Sequence, residues 1–318
     1  MVCPGCRTAT TDRIDVRTLQ RTGDVLACAC GLRYPIVDGV PIVLPHPADY
    51  LRGELASVVE RDLPTDVAAL LAAAGDPYAK MLDHLSTYLD SHWGDRAEPR
   101  LDASRGFGPE PVRQRLAVLP PVALAVELGC SVGRIVAELA IRAEHVVGLD
   151  LRFGAVRRAR RILDGGRFDY NRRIIGRHYA PATLDSAAIA NRTLLCADAL
   201  DPPLIPRSYD RVVALNLLDS VANPRQLLVV MDGLCAEGGE LILSSPYSWQ
   251  SDVMADDQRI GGPDPAVDVA AILRDGSKLG ARYVIEDEAE LDWTLRRDSR
   301  MFVTYQVHYV RARKSLCQ

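Results

Sequence analysis

The sequence predicts an α/β protein built on a seven-stranded, doubly wound (Rossmann-like) sheet. A small cysteine-clamped β module stands in front of it, with a helical linker between. Three observations carry this reading. A strand–turn–helix unit, VALAVELGCSVGRIVAEL, occupies Val122–Leu139. From about residue 121 onward, apolar runs of strand length alternate with amphipathic helical patterns, as in a doubly wound parallel sheet. Two cysteine pairs, Cys3–Cys6 and Cys28–Cys30, lie near the N-terminus.

The chain of 318 residues suffices for one α/β domain of about 200 residues and something smaller. A net charge of −4 gives no global field toward nucleic acid. Lys80, Lys278 and Lys314 are the only lysines, so nearly all basic charge is arginine. With abundant alanine, that bias reads as genomic composition and discounts arginine clusters as signals. No apolar run approaches the ~20 residues of a membrane span, and MVCPGCRT has no signal-peptide core. The expectation is a soluble cytoplasmic protein, whose cysteines are metal ligands rather than disulfides.

Residues 1–48 form the small module. Cys3, Cys6, Cys28 and Cys30 make two knuckles, C-x-x-C and C-x-C, separated by twenty-one residues. Four thiolates suit the closed tetrahedral site of structural zinc. So short a segment cannot bury enough core alone, and Zn2+ would supply its folding energy. Reduced thiols or a redox pair are the other readings. Tyr34–Leu44, YPIVDGVPIVL, reads as apolar strands around an Asp38-Gly39 hairpin turn. These words together resemble the small zinc-binding activator subunit that partners tRNA, rRNA and release-factor methyltransferases. The resemblance implies a fused activator that lays a strand against a methyltransferase sheet and takes no part in catalysis.

Residues 49–120 read as a helical linker and lid. Helices are expected near Tyr50–Arg61 and Thr65–Ala74, then over Tyr78–Trp93, where Met81, Leu82, Leu85, Tyr88 and Leu89 form a stripe. Tyr88, His92 and Trp93 sit toward its end, either as core aromatics or as a lid over an active site. Gly94–Pro111 reads as a mobile loop, and Pro111–Leu119 as a helix entering the sheet.

Residues 121–318 supply the sheet. Strands are expected at 122–128, 145–150, 193–196, 209–215 and 239–244, then near 282–287 and 301–311. Helices are expected at 132–142, 153–163, 223–235 and near 266–278. In the first unit, glycines let backbone approach a ligand. Asp150 ends the second strand, where a carboxylate can take both hydroxyls of a ribose. A dinucleotide enzyme would want G-x-G-x-x-G. The order here is Glu127, Gly129, Ser131, Gly133, which resembles the E/D-x-G-x-G-x-G turn of class I S-adenosyl-L-methionine (SAM) methyltransferases.

That resemblance implies a SAM site at Glu127, Gly129, Cys130, Ser131, Gly133, Arg134, Asp150 and Leu151. It adds Asp198 and Ala199 for the adenine, and Asn216 and Leu217 after the fourth strand, nearest the methyl group. Cys130 reads as a small turn residue rather than a catalytic thiolate. Ser245-Pro-Tyr247-Ser-Trp249 ends the fifth strand, and Asp292–Arg296 overhangs the site if the last strand is antiparallel.

The words YLDSHWG, ELGCSVGR, NLLDSVANPRQLL, SPYSWQ, IGG and DWTLRRDSR follow in this order. Over about 78–313 they resemble the methyltransferase domain at the C-terminus of ovothiol-biosynthesis proteins, assigned as a mercaptohistidine N-methyltransferase. The sulfoxide-synthase half of those proteins is absent, and the insertion 164–192 does not match. The resemblance implies N-methylation of a small heteroaromatic or amino-acid substrate. Asn216, Asp219, Tyr247 and His92 are then candidate catalytic residues. Tyr88, His92, Trp93, Tyr247, Trp249, Trp293 and Arg296 are candidate substrate contacts. Asp219 could instead cap the following helix. The Asn-Pro-Pro-Tyr word of glutamine and base-amine methylation is absent. Nine arginines between Arg152 and Arg177 read as a solvated face rather than a phosphate-binding one. A methyltransferase of tRNA, rRNA or a translation factor is the alternative, and a non-catalytic SAM-binding scaffold a third.

Overall fold

The computed structural model describes residues 1–6, 8–9, 14–55, 58, 62–71, 77–101 and 107–315. At the N-terminus β1 (Thr8–Ala9) pairs with β2 (Ile14–Asp15). An antiparallel sheet follows, of β3 (Gln20–Thr22), β4 (Val25–Ala27), β5 (Arg33–Val37) and β6 (Val40–Pro41). The turn between β5 and β6 is the expected Asp38-Gly39, with φ of 47° and 71°. Both central residues are left-handed, which matches the twist of the flanking strands.

This module is stitched to the main sheet. Ile42 pairs in parallel with Cys196, and the Val43 N–H donates to the Cys196 carbonyl at 2.9 Å. Val40, Ile42 and Leu44 are buried in the same apolar cluster as the sheet's own residues. The contact covers backbone groups at an edge that would otherwise stand open.

The linker holds α1 (Pro47–Gly53), α2 (Thr65–Leu71), the lid helix α3 (Pro77–Trp93), β7 (Ala97–Glu98) and α4 (Glu110–Leu116). α1 begins before Tyr50 and closes at Gly53; 56–57, 59–61 and 72–74 of the two expected helices lie outside the described residues. The expected loop 94–111 is partly a strand: β7 pairs with β11 (His178–Ser186), and 102–106 lie outside the described residues.

The main sheet has the seven strands expected, in the order β12-β9-β8-β13-β14-β16-β15. They are β8 (Val122–Leu128), β9 (Ala143–Asp150), β12 (Arg192–Cys196), β13 (Tyr209–Leu215), β14 (Cys235–Ser245), β15 (Tyr283–Arg296) and β16 (Phe302–Lys314). The first five are parallel, and β16 runs antiparallel between β14 and β15. The helices are α5 (Arg134–Ala140), α6 (Phe153–Leu163), α7 (Pro224–Leu234) and α8 (Pro265–Asp275). Strand order reverses between β8 and β13, which opens a ligand crevice beyond their carboxyl ends.

The insertion after α6 is a hairpin, β10 (Gly166–Ile175) with β11, laid against the lid. One buried carboxylate ties these elements together. Asp90 of α3, 0% exposed, accepts from the Tyr170 hydroxyl at 2.7 Å, Arg172 Nε at 2.9 Å and an Arg296 guanidinium nitrogen at 2.6 Å.

Candidate active site

The turn after β8 is shaped by three left-handed residues: Gly129 (φ 78°), Ser131 (φ 45°) and Gly133 (φ 78°). A Cβ at Gly133 would stand 2.9 Å from the Ala159 methyl, so only glycine lets α5 start this close to α6. The amides of Gly129 and Cys130 both donate to the Leu149 carbonyl, at 2.8 and 2.9 Å. That fixes the turn to β9. The Cys130 side chain points into the core, and burial raises its thiol well above the usual range. It is a packing residue and offers a ligand neither its thiol nor its N–H. Arg134 is also corrected. Its side chain is fully buried, paired with Asp95 at 2.9 Å and Glu138 at 3.1 Å, with its guanidinium over the Trp93 ring. None of its charge faces the turn.

Asp150 stands at the end of β9. Its Oδ2 accepts from the Ser131 N–H and its Oδ1 from the Arg152 N–H, both at 2.9 Å. A carboxylate has about four lone-pair sites, so each oxygen keeps one for a vicinal diol. Leu151, 49% exposed, presents an apolar face beside it. Asp198 accepts from the Leu200 N–H at 2.8 Å through Oδ1, while Ala199 is buried. Glu127 is 3% exposed, and its Oε2 has no partner among the described residues. Burial, then the charge of Asp150, raises its carboxyl well above the carboxylate range. An orphaned acid behind the turn suits a ligand that brings positive charge, as the ammonium and sulfonium of SAM do. The site residues therefore fit that cofactor.

Beyond β13 and β14 lie Asn216 (φ 51°) and Tyr247 (φ 52°), again left-handed. A bulky residue with such a φ is a true outlier, and strain of this kind gathers at functional sites. The Ser244 hydroxyl donates to Asn216 Oδ1 at 2.9 Å, and Ser245 Oγ to Asp219 Oδ1 at 3.0 Å. Leu217 lies over Gly129. Asp219 does not cap α7; Asn223 does, accepting from the Gln226 N–H at 2.9 Å. The Tyr247 ring lies 5.7 Å from that of Trp249. Its hydroxyl meets His308 Nδ1 at 2.8 Å, and His308 Nε2 meets Glu288 at 3.0 Å. Sequence reasoning missed both partners, because strand periodicity gives no sign of which face they share with Tyr247.

The lid carries a row of rings: His84 to Tyr88 at 4.5 Å, Tyr88 to His92 at 5.9 Å, His92 to Trp293 at 5.9 Å. His84 was also missed, although it shares the four-residue spacing of Tyr88 and His92. Burial lowers His92 to about 3, helped by Arg134, and its Nδ1 has no partner among the described residues. Burial, then the charges of Arg152 and Arg297, lowers His84 to about 4. Both rings are neutral near pH 7. Two expected substrate contacts are corrected. Trp93 is 1% exposed and donates from Nε1 to the Val132 carbonyl at 3.0 Å, anchoring the lid to the turn. Arg296 is committed to Asp90 and the Arg173 carbonyl.

In the module, the sulfurs of Cys3, Cys6, Cys28 and Cys30 lie within 4.8 Å of one another. Cys3–Cys30 is 3.9 Å and Cys6–Cys28 3.7 Å. A tetrahedron with Zn–S near 2.3 Å has edges of about 3.8 Å, so the cluster fits zinc. The Tyr34 hydroxyl lies 3.3 Å from Cys3 Sγ.

Residues 126–243, from β8 to β14, match the family described as a methyltransferase domain. No curated protein matches the chain. Similar solved structures include a complex of the Haloferax volcanii Trm112 methyltransferase activator with a methyltransferase. There identity is 12% over 77% of this chain and 99% of that one, with a TM-score of 0.48. N-methyltransferase NodS from Bradyrhizobium japonicum WM9 shares 13% identity over 65% of this chain and 94% of its own (TM-score 0.43). Magnesium protoporphyrin IX methyltransferase from Synechocystis PCC 6803, with bound SAM, shares 17% over 65% and 77% (TM-score 0.41). The domain match and the architecture around the turn support a SAM-dependent methyltransferase domain over residues 126–243. Among the described residues no helix is long and apolar enough to cross a membrane.

Proposed function

We propose that the chain transfers the methyl group of SAM to a nitrogen of a small heteroaromatic or amino-acid-derived, histidine-like acceptor. The observation that carries the acceptor reading is the row of neutral rings on the lid. Half-buried His84 and Tyr88, with ring centroids 4.5 Å apart, offer ring faces for a flat heterocycle, and the buried rings of His92 and Trp293 back them. SAM supplies an electrophilic methyl on a sulfonium. The chain supplies alignment, which can contribute roughly 7–11 kcal/mol, and the exclusion of water. An azole nitrogen near its own pKa needs little help from a base. Asn216, Asp219 and Tyr247 hold polar groups at the strand ends where the acceptor would sit. The Tyr247 hydroxyl, held by His308, can take an N–H of the acceptor. The resemblance to the ovothiol-type domain supports the same class. In this reading residues 1–48 are a zinc-binding module that only stabilises, 49–120 the linker and lid, and 121–318 the catalytic part, with the protein working in the cytoplasm.

The alternative, a tRNA, rRNA or translation-factor acceptor, rests on the activator-like module. It would use the arginines of 152–177, yet seven of the nine are paired with carboxylates of the chain itself. Few are left to neutralise phosphates. The test is incubation with methyl-labelled SAM and a panel of histidine-derived thiols and azoles, beside bulk tRNA. Label on an azole supports the proposal. Label on RNA alone, with salt-sensitive RNA binding, sinks it in favour of the alternative.

A further inference from the structure

Tyr50 takes no part in the site as read so far. It lies on α1, a hundred residues upstream of the carboxylate that faces the ribose position. Its hydroxyl donates to the Leu151 carbonyl at 2.7 Å and accepts from the Phe153 N–H at 3.1 Å. Cys196 Sγ, at the end of β12, lies 3.4 Å from the same hydroxyl and from the Leu151 carbonyl. Phe153 is the first residue of α6, and its N-cap residue, Arg152, makes no side-chain cap. An uncapped helix start leaves orphan N–H groups. Here a tyrosine from a distant element fills the capping role.

The consequence falls on the cofactor side. The peptide units gripped by Tyr50 flank Arg152, whose N–H holds Asp150 Oδ1. Leu151, between the two, exposes the apolar face beside the carboxylate. The segment that carries Tyr50 is itself fixed by Val43 to the Cys196 carbonyl, and Cys196 pairs with Asp150 across β12 and β9. One hydroxyl thus sets the direction of both Asp150 and Leu151, and it reaches them from the linker that follows the cysteine module.

We infer that Tyr50 is a positioning residue for the nucleoside half of the cofactor, acting by clamping the 151–153 turn. The inference rests on the SAM reading of the turn and Asp150. The Tyr50→Phe variant keeps the ring and its packing and loses only the hydroxyl. Calorimetry with S-adenosylhomocysteine and with adenosine as probes should show both weakened by about tenfold, the worth of one net hydrogen bond. A merely structural tyrosine would lower the melting temperature and leave both affinities of the folded protein unchanged. A wild-type protein that binds S-adenosylhomocysteine, beside a variant that binds both probes equally well, overturns the role of Tyr50 alone. A wild-type protein that binds neither probe sinks the cofactor reading and this role with it. Hydrogen exchange on the wild type gives a second readout, independent of how the variant folds. The Phe153 amide should be protected like the α6 interior, and exchange at an unprotected rate would overturn the clamp.

Discussion

Glu127 and Asp150 are two carboxylates at the ends of neighbouring strands with opposite tasks. Asp150 has both oxygens engaged by backbone N–H groups, which favours its ionised form against the burial that raises it. Glu127 has an oxygen with no partner among the described residues, and burial raises its carboxyl well above the carboxylate range. A cationic group arriving beside Glu127 favours the ionised form, so SAM binding should release a proton. Below the raised pKa of the free protein, binding must expel that proton, and affinity should rise with pH until the free carboxyl ionises. Calorimetry in buffers of different ionisation enthalpy should show it, and Glu127→Gln should abolish the dependence. Equal heats in all buffers would refute it. Asp150→Asn should cost the charged part of its ribose hydrogen bonds, about 1.5–3 kcal/mol each. The measurement is SAM affinity, and an unchanged value would remove Asp150 from the site. Glu127, Gly129, Gly133 and Asp150 were legible because the spacing of a strand–turn–helix unit fixes where they lie. Arg134 and Cys130 were misread for the same reason. Spacing places a residue in the turn without saying which way its side chain leaves it.

The lid helix is held at the scale of elements. Asp90 joins α3 to the insertion hairpin through Tyr170 and Arg172, and to β15 through Arg296. Both guanidinium groups are buried, Arg172 at 2% and Arg296 at 6% exposed. Asp90→Asn leaves them without a counter-charge, which costs about 3–5 kcal/mol. For a chain of this size that is a fall of about 10 °C in Tm, read in a calorimetric melt. Asp169→Asn, which removes the charge from the exposed contacts with Arg167 and the Thr183 hydroxyl, should leave Tm in place. An unchanged Tm for Asp90→Asn would mean that the lid is held by packing alone. The amphipathic stripe of α3 was visible in its sequence. The role of the insertion as its brace was not, since β10 and β11 find the lid only through contacts eighty residues apart.

Across the whole molecule, the N-terminal module and the sheet share a core. Ile42 and Val43 extend the edge beside β12, so the stability of the cysteine cluster should reach the sheet. The double variant Cys3→Ser, Cys6→Ser should lose its metal, measured as about one zinc per chain in the wild type, and melt earlier. Wild-type protein pure of metal would end the zinc assignment. The pairing of Ile42 with Cys196 is a backbone link between the module and the sheet.

By itself the sequence determined the strand count, the glycine turn, the carboxylate after the second strand and the thiol knuckles. Each depends on periodicity or on a conformation that few residues tolerate, and both are local properties. Only the tertiary structure decided which polar side chains face the crevice and which are spent inside. It turned Arg134, Trp93 and Arg296 inward, and brought His84, His308, Glu288 and Tyr50 to bear on the site. Side-chain direction and pairing across distant segments are settled by what packs opposite, which no single stretch of chain contains.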